Sequence, residues 1–582
     1  MARRALLVCG VVLVVAVAAG AWLTLDALRA RSELQAAAAD VTQLQAQVTT
    51  GDRAAATTTL GSLQGHAENA RGLTQGPHWA VAGRLPWAGP NVLAVQAVSE
   101  VVDGLATQAL PNLMDATALV DPSTLAPVDG RVDLQPLRVA ADQVVAADAS
   151  VQTAVERLAA IDTGPLVDVV AGPITQVRRQ LDEVAMTTAT AARAVRLLPP
   201  MLGADGPREY LVLVQNNAEQ RATGGIPGSV VLVRAEAGAV EVVDQRTGGS
   251  LSGLSEPVVP LTDAETVLFG DEMATDMRNV TMTPDFPRTG EIAQGIWQTM
   301  AGSELDGVVS IDPGALALVL GATGPVTLES SQALTEDNAV QLLLNTIYLE
   351  EDDPAAQDAF FAQTSASVFG AITGGQGDPV ATVDALAEAA RQGRLMVWSA
   401  HPGEQALLTG TVLSGELRGR DDTSPVVGVY LNDASASKMG YYLDVDVDVE
   451  TQACRPDGSQ TIGLTVTMTS TAPADAATLP PYLTGRDRSV VPAGDVRTNV
   501  LVYAPVGGFI EDVRVKDDQV GGFAQVHDGQ AVLGRTVQLS PGERLVTQYT
   551  VVSGPRQTGP VALRVTPVTT GTLGWTGPTS CS

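Results

Sequence analysis

Positive charge is scarce in this sequence. The 582 residues carry 35 lysine and arginine side chains against 65 aspartates and glutamates, so the formal net charge is −30. Proteins bind nucleic acid through clustered positive charge, and we therefore expect no nucleic acid partner. Lysine is almost missing, since Lys438 and Lys516 are the two lysines in the chain.

Aromatic residues, histidine and cysteine are also few. Aromatics make up 4% of the chain, and there are four histidines and three cysteines. The histidines are widely spaced and do not predict a histidine-rich zinc site. The sequence has no Gly-Lys-Ser/Thr phosphate loop, no paired CxxC and no GxSxG elbow. An active site would therefore be assembled from residues that are distant in the sequence.

Apolar residues, in contrast, make up 45% of the chain and charged residues 17%, which is typical of a folded protein. With so few aromatics, much of the core is expected to be Val, Leu and Ala. At about 150 residues per domain, the length predicts three or four units.

The amino terminus suggests a membrane anchor. An uncharged run of 21 residues, 5–25, follows Arg3 and Arg4. As a helix rising ~1.5 Å per residue, this run would cross a hydrocarbon core of roughly 30 Å. We predict a single transmembrane span with the amino terminus in the cytoplasm, because the basic residues precede the run. The protein would then lie in the cell membrane with its bulk extracytoplasmic; a cleaved signal peptide is the alternative.

Two of the three cysteines, Cys454 and Cys581, fall in the part that would be exported. An oxidising exterior permits a disulfide between them, and this pairing is our prediction. Two free thiols are the alternative.

Residues 28–200 are predicted to form helices. Leu34, Val41 and Val48 repeat at seven residues, with Ala37 and Leu44 between them. Gly-Pro and Asp-Pro pairs separate this segment from later ones with similar spacing. Each seam is only two or three heptads long, so we expect helices packed within one chain. A stalk that forms homodimers is the alternative.

The pattern changes after the loop that ends at Pro207. Short Val-rich runs mixed with helical segments predict an α/β layered domain over 206–420. From 421 to 582 the helical patterns stop, and short strands separated by Gly and Pro predict a β-sandwich. The predicted fold is thus α+β and multidomain: tail and transmembrane helix over 1–27, helical membrane-proximal region, α/β domain and β-sandwich.

The most informative segment is QNNAEQRATGGIPGS, residues 215–229. An apolar strand ends in the amides of Asn216 and Asn217, followed by Glu219, Arg221 and a Gly-Gly pair. Ligands usually bind at the carboxyl ends of strands in α/β sheets, and an arginine there can bind phosphate through two hydrogen bonds. The glycines would let backbone approach a ligand closely. A polar turn whose amides bind the loop backbone is the alternative.

This segment resembles a known family. Together with TPDFPRTGEIAQGIW at 283–297 and LDGVVSIDPGALALVLGATGPVTL at 305–328, it is similar to the bacterial family called domain of unknown function 4012 (DUF4012). VYLNDASASKMGYYLD at 429–444 is similar to the later portion of that family. The resemblance covers roughly 206 to the end, and it implies an exported, single-span protein without an established activity.

DGVVSIDPGALALVLGATGPVTL also resembles, more distantly, a segment of the LytR-CpsA-Psr phosphotransferases. This resemblance implies transfer of a glycopolymer from polyprenyl pyrophosphate to the cell wall with Mg²⁺, aspartates and arginines. The position that matches the first arginine is Arg221. Further members of the site would be Arg246, Arg278 and Asp285.

One part of the enzyme pattern is missing, because EEDDPAAQDAFFAQ at 350–363 contains no arginine. Our first hypothesis is therefore a protein that binds a surface polysaccharide or polyprenyl-linked glycan through Asn216, Asn217, Arg221, Arg246 and Arg278. An Mg²⁺-dependent phosphotransferase using Arg221 with Glu219 or Asp285 as catalytic residue is the second. A scaffold, in which Arg221 is dispensable, is the third.

Overall fold

The computed structural model describes residues 2–50, 52–119, 127–128, 130–328, 331–417, 423–486, 489–577 and 581. Within these ranges, the side chains of 2–19, 48–49, 117–119 and 575–576 are not described. The chain divides into two compact units. The first comprises Met1–Asp121 and Leu134–Pro199, and the second comprises Pro122–Asp133 and Pro200–Ser582.

The first unit is helical. Its helices are α1 (Ala2–Thr49), α2 (Arg53–Thr74), α3 (Pro77–Ala82), α4 (Gly89–Gly104), α5 (Leu110–Leu119), α6 (Gln135–Ala159) and α7 (Asp168–Met201). Prolines at the first or second position of α3, α4 and α6 explain their starts, because proline fixes φ and needs no hydrogen bond there.

Heptad spacing correctly predicts the buried face of α6, where Val144, Val151 and Leu158 are all buried. In α1 the predicted seam is shifted. Ala37 and Leu44 are buried there, whereas Val41 is exposed. Small residues at the contact allow α1 and α2 to approach closely.

The predicted transmembrane anchor is wrong. Among the helices that the structure describes, none combines the length and the apolar character needed to cross a membrane. Residues 5–25 lie in the first half of α1, a helix of 48 residues. From Gly20 onward this helix buries a narrow stripe that includes Ala37 and exposes much of the remaining surface. A one-sided stripe of this kind is typical of a helix that packs against protein.

The amino-terminal part of the second unit is a mixed sheet covered on both faces. Its strands lie in the order β3-β2-β1-β4-β7. They are β1 (Arg208–Arg221), β2 (Gly224–Glu236), β3 (Ala239–Thr247), β4 (Gly307–Ile311) and β7 (Leu395–Ser399). β1 and β4 are parallel, and the other neighbours in this sheet are antiparallel.

Helices connect and cover these strands. They are α8 (Asp263–Phe269), α9 (Phe286–Ala301), α10 (Pro313–Thr323), α11 (Ala339–Gln341), α12 (Ile347–Glu350), α13 (Pro354–Thr373), α14 (Pro379–Arg391), α15 (Pro402–Leu408) and α16 (Pro481–Thr484), with a small hairpin of β5 (Val326–Thr327) and β6 (Ala333–Leu334). α9 packs on one face of the sheet and α13 on the other, because side chains alternate along each strand.

The carboxyl-terminal part is a sandwich of two six-stranded sheets, ordered β13-β12-β16-β10-β9-β18 and β14-β15-β11-β8-β17-β19. The strands are β8 (Val426–Asp433), β9 (Leu443–Cys454), β10 (Gln460–Ser470), β11 (Val496–Tyr503), β12 (Phe509–Val515), β13 (Asp518–Gln519), β14 (Phe523–His527), β15 (Gln530–Leu539), β16 (Arg544–Val552), β17 (Ala562–Val565), β18 (Thr570–Gly571) and β19 (Trp575–Thr576). Along β9, Val445 and Val447 are buried while Asp446 and Asp448 are exposed, so the outer face of this strand is acidic.

The sandwich and the mixed sheet share one hydrophobic core. Leu211 and Leu213 of β1 lie in the same buried cluster as Tyr430 of β8 and Tyr503 of β11. The sequence boundary that we predict at 420/421 falls in 418–422, outside the described residues, and remains a prediction. What the structure shows is that both parts belong to one compact unit.

A disulfide joins Cys454, at the end of β9, to Cys581, with 5.6 Å between the two Cα atoms. The bridge closes a separation of 127 residues. It therefore ties Cys581 back to the sandwich.

Candidate functional site

The polar segment 215–229, expected to be a loop, is mostly strand. β1 continues to Arg221, and β2 begins at Gly224 after a tight reversal. The pairing shifts register between Val214 and Gln215 and again between Asn216 and Gln220. Such bulges rotate side chains away from strict alternation. Polar side chains from this stretch therefore reach both the buried interior and the rim of a cavity.

The glycine pair has a different use from the one that we expected. An added Cβ on Gly225 would lie 2.0 Å from the carbonyl oxygen of Asn216, so only glycine fits. The Gly225 N–H donates to the side-chain oxygen of Gln215 at 2.6 Å. Glycine here lets the two strands approach each other rather than a ligand.

A cavity of about 440 Å³ lies between the mixed sheet and α13. This volume falls within the range of roughly 300–1,000 Å³ that small-molecule sites occupy. Most of its wall is apolar. The sheet contributes valines and the helix contributes large apolar side chains: Val212, Val214, Val231, Val233, Phe361, Phe369 and Ile372.

The cavity is elongated along the strands. On β2 its lining runs from Val233, which pairs with Tyr210, to Ile226, which pairs with Asn216. The seven steps from residue to residue between these positions, at about 3.3 Å each, span roughly 20 Å. Near Val233 the wall is apolar, whereas near Asn216 it becomes polar. The polar end lies at the carboxyl end of β1, where α/β sheets usually bind ligands.

Two cations and a carboxylate line the polar end, namely Lys438, Arg278 and Glu219. The Arg278 side chain is 48% exposed and binds both oxygens of Asp276. These hydrogen bonds raise the pKa of Arg278. Tyr482, which is partly exposed, lies at the same end, so this end is open to solvent.

Lys438 is the most enclosed charge at this end, with only 7% of its side chain exposed. Its Nζ lies 4.7 Å from the ring centre of Tyr348 and 4.9 Å from that of Tyr482. It donates to the carboxylate of Glu219. Burial alone would lower the pKa of Lys438, but Glu219 and the two tyrosines raise it above its ordinary value. The ammonium is therefore held charged between two aromatic faces.

Asn216 positions one of these tyrosines. Its amide donates to the Tyr348 hydroxyl at 2.8 Å, and its side-chain oxygen accepts from the Ala218 N–H at 3.0 Å. Burial raises the pKa of Tyr348 to about 12. Tyr348 is therefore neutral at physiological pH and donates or accepts hydrogen bonds as a phenol.

Three of the five predicted ligand-binding residues do not line this cavity, namely Asn217, Arg221 and Arg246. The buried amide of Asn217 donates to Asp312 and to the carbonyl oxygen of Pro567, each at 2.9 Å. Arg221 is turned inward, where it donates to Gln220 and Asn279. Burial lowers the pKa of Arg221, although Asp433 and Glu219 oppose the shift. The partners of Asn217 include Asp312, which lines the cavity, whereas neither partner of Arg221 lines it.

Arg246 and Asp285 also lie away from the cavity lining. Arg246 pairs with Asp244 at 2.8 Å, and its guanidinium carbon lies 4.9 Å from the centre of the Trp297 ring. Asp285 precedes α9 and accepts the Leu417 N–H at 2.9 Å. Of the two carboxylates that we predicted as catalytic, Glu219 alone lines the cavity.

Asp285 makes stability depend on pH. Burial raises the pKa of its carboxyl from 3.8 to about 6, so the folded chain binds this proton more tightly than the unfolded chain. The resulting stabilisation is complete below pH 4 and is lost as the pH rises through 6. About two pKa units correspond to about 3 kcal/mol. Asp285→Asn keeps an oxygen that can accept the Leu417 N–H. We expect the free energy of unfolding of this variant, relative to that of the natural chain, to increase by that amount between pH 4 and pH 7.

Denaturant unfolding at pH 4, 5, 6 and 7 measures this difference. Asp271→Asn, at an exposed position, is the matched control, and its stability should follow that of the natural chain at every pH. A stability difference between Asp285→Asn and the natural chain that is constant over this range would contradict the prediction.

Sequence reasoning missed Lys438, Tyr348 and Tyr482. Lys438 and Tyr482 lie in the segment predicted as a separate sandwich, and no local sequence pattern there indicates a contact with the mixed sheet. One indication was present, because Lys438 is one of two lysines and stands in the apolar, aromatic string KMGYY.

The expected magnesium site has no clear set of protein ligands. Within the described ranges, no three histidine, cysteine, aspartate or glutamate side chains are placed to hold a metal ion together. The described residues therefore do not fit a metal held by protein carboxylates alone.

Comparison with known proteins gives one match. Residues 205–348 match the family model described as Protein of unknown function (DUF4012), which confirms the resemblance over that region. No curated protein and no solved structure matches the chain. Lys438 and Tyr482 lie beyond the matched region.

Proposed function

We propose that this chain, a member of the DUF4012 family through residues 205–348, binds an amphipathic ligand of the polyprenyl-linked glycan class. The observation that supports this most directly is the cavity with an apolar length and a polar end that contains Lys438 and Arg278. Burying an apolar chain in such a cavity is favourable by roughly 25 cal/mol per Å² of surface removed from water.

The apolar part of the cavity favours a chain over a compact ring. Its lining extends along β2 for roughly 20 Å at about 3.3 Å per residue, from Val233 to Ile226. Valines on the strands and Phe361 and Phe369 on α13 present methyl groups and ring faces but few hydrogen-bonding groups. A flexible hydrocarbon with branched methyl groups fits such walls.

The polar end favours an anionic head group. Lys438 and Arg278 both line it, and Arg278 is exposed enough to contact a group that extends into solvent. Cationic side chains of this kind bind phosphate oxygens through strong, charge-assisted hydrogen bonds. Residues 306–328 resemble a segment of the glycopolymer phosphotransferases. For this reason we propose that the head group of the ligand carries a glycan.

The disulfide supports an extracytoplasmic location. Disulfides persist mainly in oxidising compartments, and Cys454 and Cys581 are joined. We therefore propose that the second unit acts outside the cytoplasm, where surface glycans are handled.

Binding is the activity that we propose, rather than transfer. Glu219, which we expected to take a proton from an attacking hydroxyl, is engaged by Lys438. Asp285 accepts a backbone N–H in the core at a position that does not line the cavity.

Blocking the apolar part of the cavity tests the proposal. Ser365 lies on α13 and lines the cavity with a small side chain, so Ser365→Trp would fill part of its volume. We expect this variant to bind farnesyl phosphate at least about 100-fold more weakly than the natural chain, a loss of roughly 2.7 kcal/mol. Isothermal titration calorimetry measures the affinity.

Gln363→Trp places the same residue on the exposed side of α13 and is the matched control. Farnesol and inorganic phosphate, titrated separately, measure the contributions of chain and head group. Farnesyl phosphate that fails to bind the natural chain, or that binds both tryptophan variants equally well, would show that the cavity is not a lipid site.

A further inference from the structure

The ion pair between Glu219 and Lys438 occupies the place where the cavity offers its most enclosed positive charge. The two residues are 219 positions apart in the chain, and their side chains are 19% and 7% exposed. Lys438 lies against the rings of Tyr348 and Tyr482 on its other sides. Glu219 thus accepts the hydrogen bond that a ligand anion would accept from this ammonium.

The second cation is held differently. Arg278 pairs with Asp276, two residues earlier, which also accepts the Arg278 backbone N–H at 2.9 Å. That pair belongs to a single turn and is fixed by local geometry. The partner of Lys438 comes from a distant strand, and Lys438 is the one donor to the Glu219 carboxylate among the described residues.

The two cations at this end are each paired with a carboxylate without a ligand, and Asp312, which also lines the cavity, is paired with Arg394. Lys438 and Arg278 supply two positive charges, and Glu219 and Asp276 supply two negative charges. A phosphate monoester adds about one and a half to two further negative charges near neutral pH. In a partly buried site, uncompensated charge of this size is strongly unfavourable. One of the two carboxylates must therefore leave its cation for an anionic ligand to bind well.

We propose that Glu219 is the carboxylate that leaves: in the ligand-free protein it holds the position on Lys438 that the head-group anion takes on binding. This inference rests on the proposed function. Glu219 keeps a buried ammonium paired when no ligand is present, since an unpaired buried charge is costly. On binding, one oxyanion replaces another at Lys438, and Glu219 turns toward solvent at the rim.

This exchange gives the site a selectivity. A neutral prenyl alcohol gains nothing from Lys438 and leaves the ion pair intact. An anionic head group gains Lys438 but must break the ion pair, so the natural affinity is lower than an unpaired lysine would give. On this proposal, the site discriminates head groups by charge while its walls accept the same chain.

Glu219→Gln separates the gain from contacting Lys438 from the cost of breaking the ion pair. Glutamine has nearly the same shape as glutamate and can still accept a hydrogen bond from Lys438. We expect the variant to bind farnesyl phosphate about tenfold more tightly than the natural chain, because the competing charge is gone. Its affinity for farnesol should be unchanged. Glu304→Gln, at an exposed position outside the cavity lining, is the matched control.

The double variant Glu219→Gln/Lys438→Met completes the design, since it removes both charges and avoids a buried unpaired one. We expect it to lose the tenfold gain and to bind farnesyl phosphate no better than farnesol. Titration calorimetry of all four proteins with both ligands gives the result, and circular dichroism verifies that each is folded.

The outcomes distinguish the two proposals. If neither the natural chain nor Glu219→Gln binds farnesyl phosphate, the proposed function fails and the exchange fails with it. If the natural chain binds but Glu219→Gln binds equally or more weakly, the ligand class stands and the exchange is wrong. A gain that persists in the double variant would also overturn the role of Lys438.

Discussion

Replacing Arg394 by methionine is expected to lower the free energy of unfolding of the second unit by about 3–5 kcal/mol. Arg394 donates to Asp312 at 2.7 Å, and the two side chains are 9% and 3% exposed. It also donates to the carbonyl oxygen of Val568 at 2.8 Å. Methionine fills similar volume but leaves the Asp312 carboxylate buried without its cation.

Asp312 has several hydrogen-bond partners, which hold its carboxylate in the buried position. It accepts the Ala315 N–H at the start of α10 and the Asn217 amide at 2.9 Å. The double variant Arg394→Met/Asp312→Asn removes the charge while keeping a cap for α10. We expect it to recover at least half of the loss.

Denaturant unfolding of the four proteins of this cycle measures the coupling between the two positions. Arg391→Met, which removes a surface arginine paired with Glu388, is the matched control and should cost less than about 1 kcal/mol. A similar small cost at Arg394, or no recovery in the double variant, would show that the buried pair contributes little.

Removing the disulfide is expected to have the other large effect. A bridge that closes 127 residues restricts the unfolded chain, and chain-entropy arguments give about 5 kcal/mol for a loop of that length. Replacing Cys454 and Cys581 by serine together should therefore lower the denaturant midpoint strongly. The same drop should appear in the natural protein when a reductant is added.

Cys9→Ser removes the third cysteine and is the control for loss of a thiol. The reductant should have no effect on the variant that lacks both bridged cysteines. Equal midpoints for that variant and the natural chain without reductant would mean that the bridge does not stabilise the fold.

Much of the framework could be predicted from the sequence because its determinants are local. The Val-rich strings at 210–215 and 229–234 predict β1 and β2, and the seven-residue spacing of Val144, Val151 and Leu158 predicts the buried face of α6. Asp312 before Pro313 is a local helix-start pattern, and it caps α10.

The site was harder to predict because its contacts are long-range. Asn217 and Arg221 have the local pattern of a loop, yet they lie on a strand. Their hydrogen-bond partners include Asp312, Pro567 and Asn279, which are 58 to 350 residues away. Local propensity contains no information about such partners, and tertiary contacts override it. For the same reason, the sequence predicts that Arg221 binds ligand, whereas its side chain does not line the cavity.

The amino-terminal expectation was wrong for a different reason. Residues 5–25 have the length and composition of a membrane span, and those are the only properties that the pattern tests. In the structure they begin a longer helix, whose described part buries one stripe of small residues such as Ala37 against neighbouring protein.

The burial of Lys438 also divides the two lysine amines of this protein into two chemical kinds. Lys516, on the sandwich, is exposed to water and open to acylating reagents, whereas Lys438 is shielded by two rings and a carboxylate. Because the chain has no further lysine, the extent of acylation at Lys438 can be compared directly with that at Lys516, which acts as an internal reference. A composition poor in lysine thus makes this protein unusually simple to follow by covalent labelling.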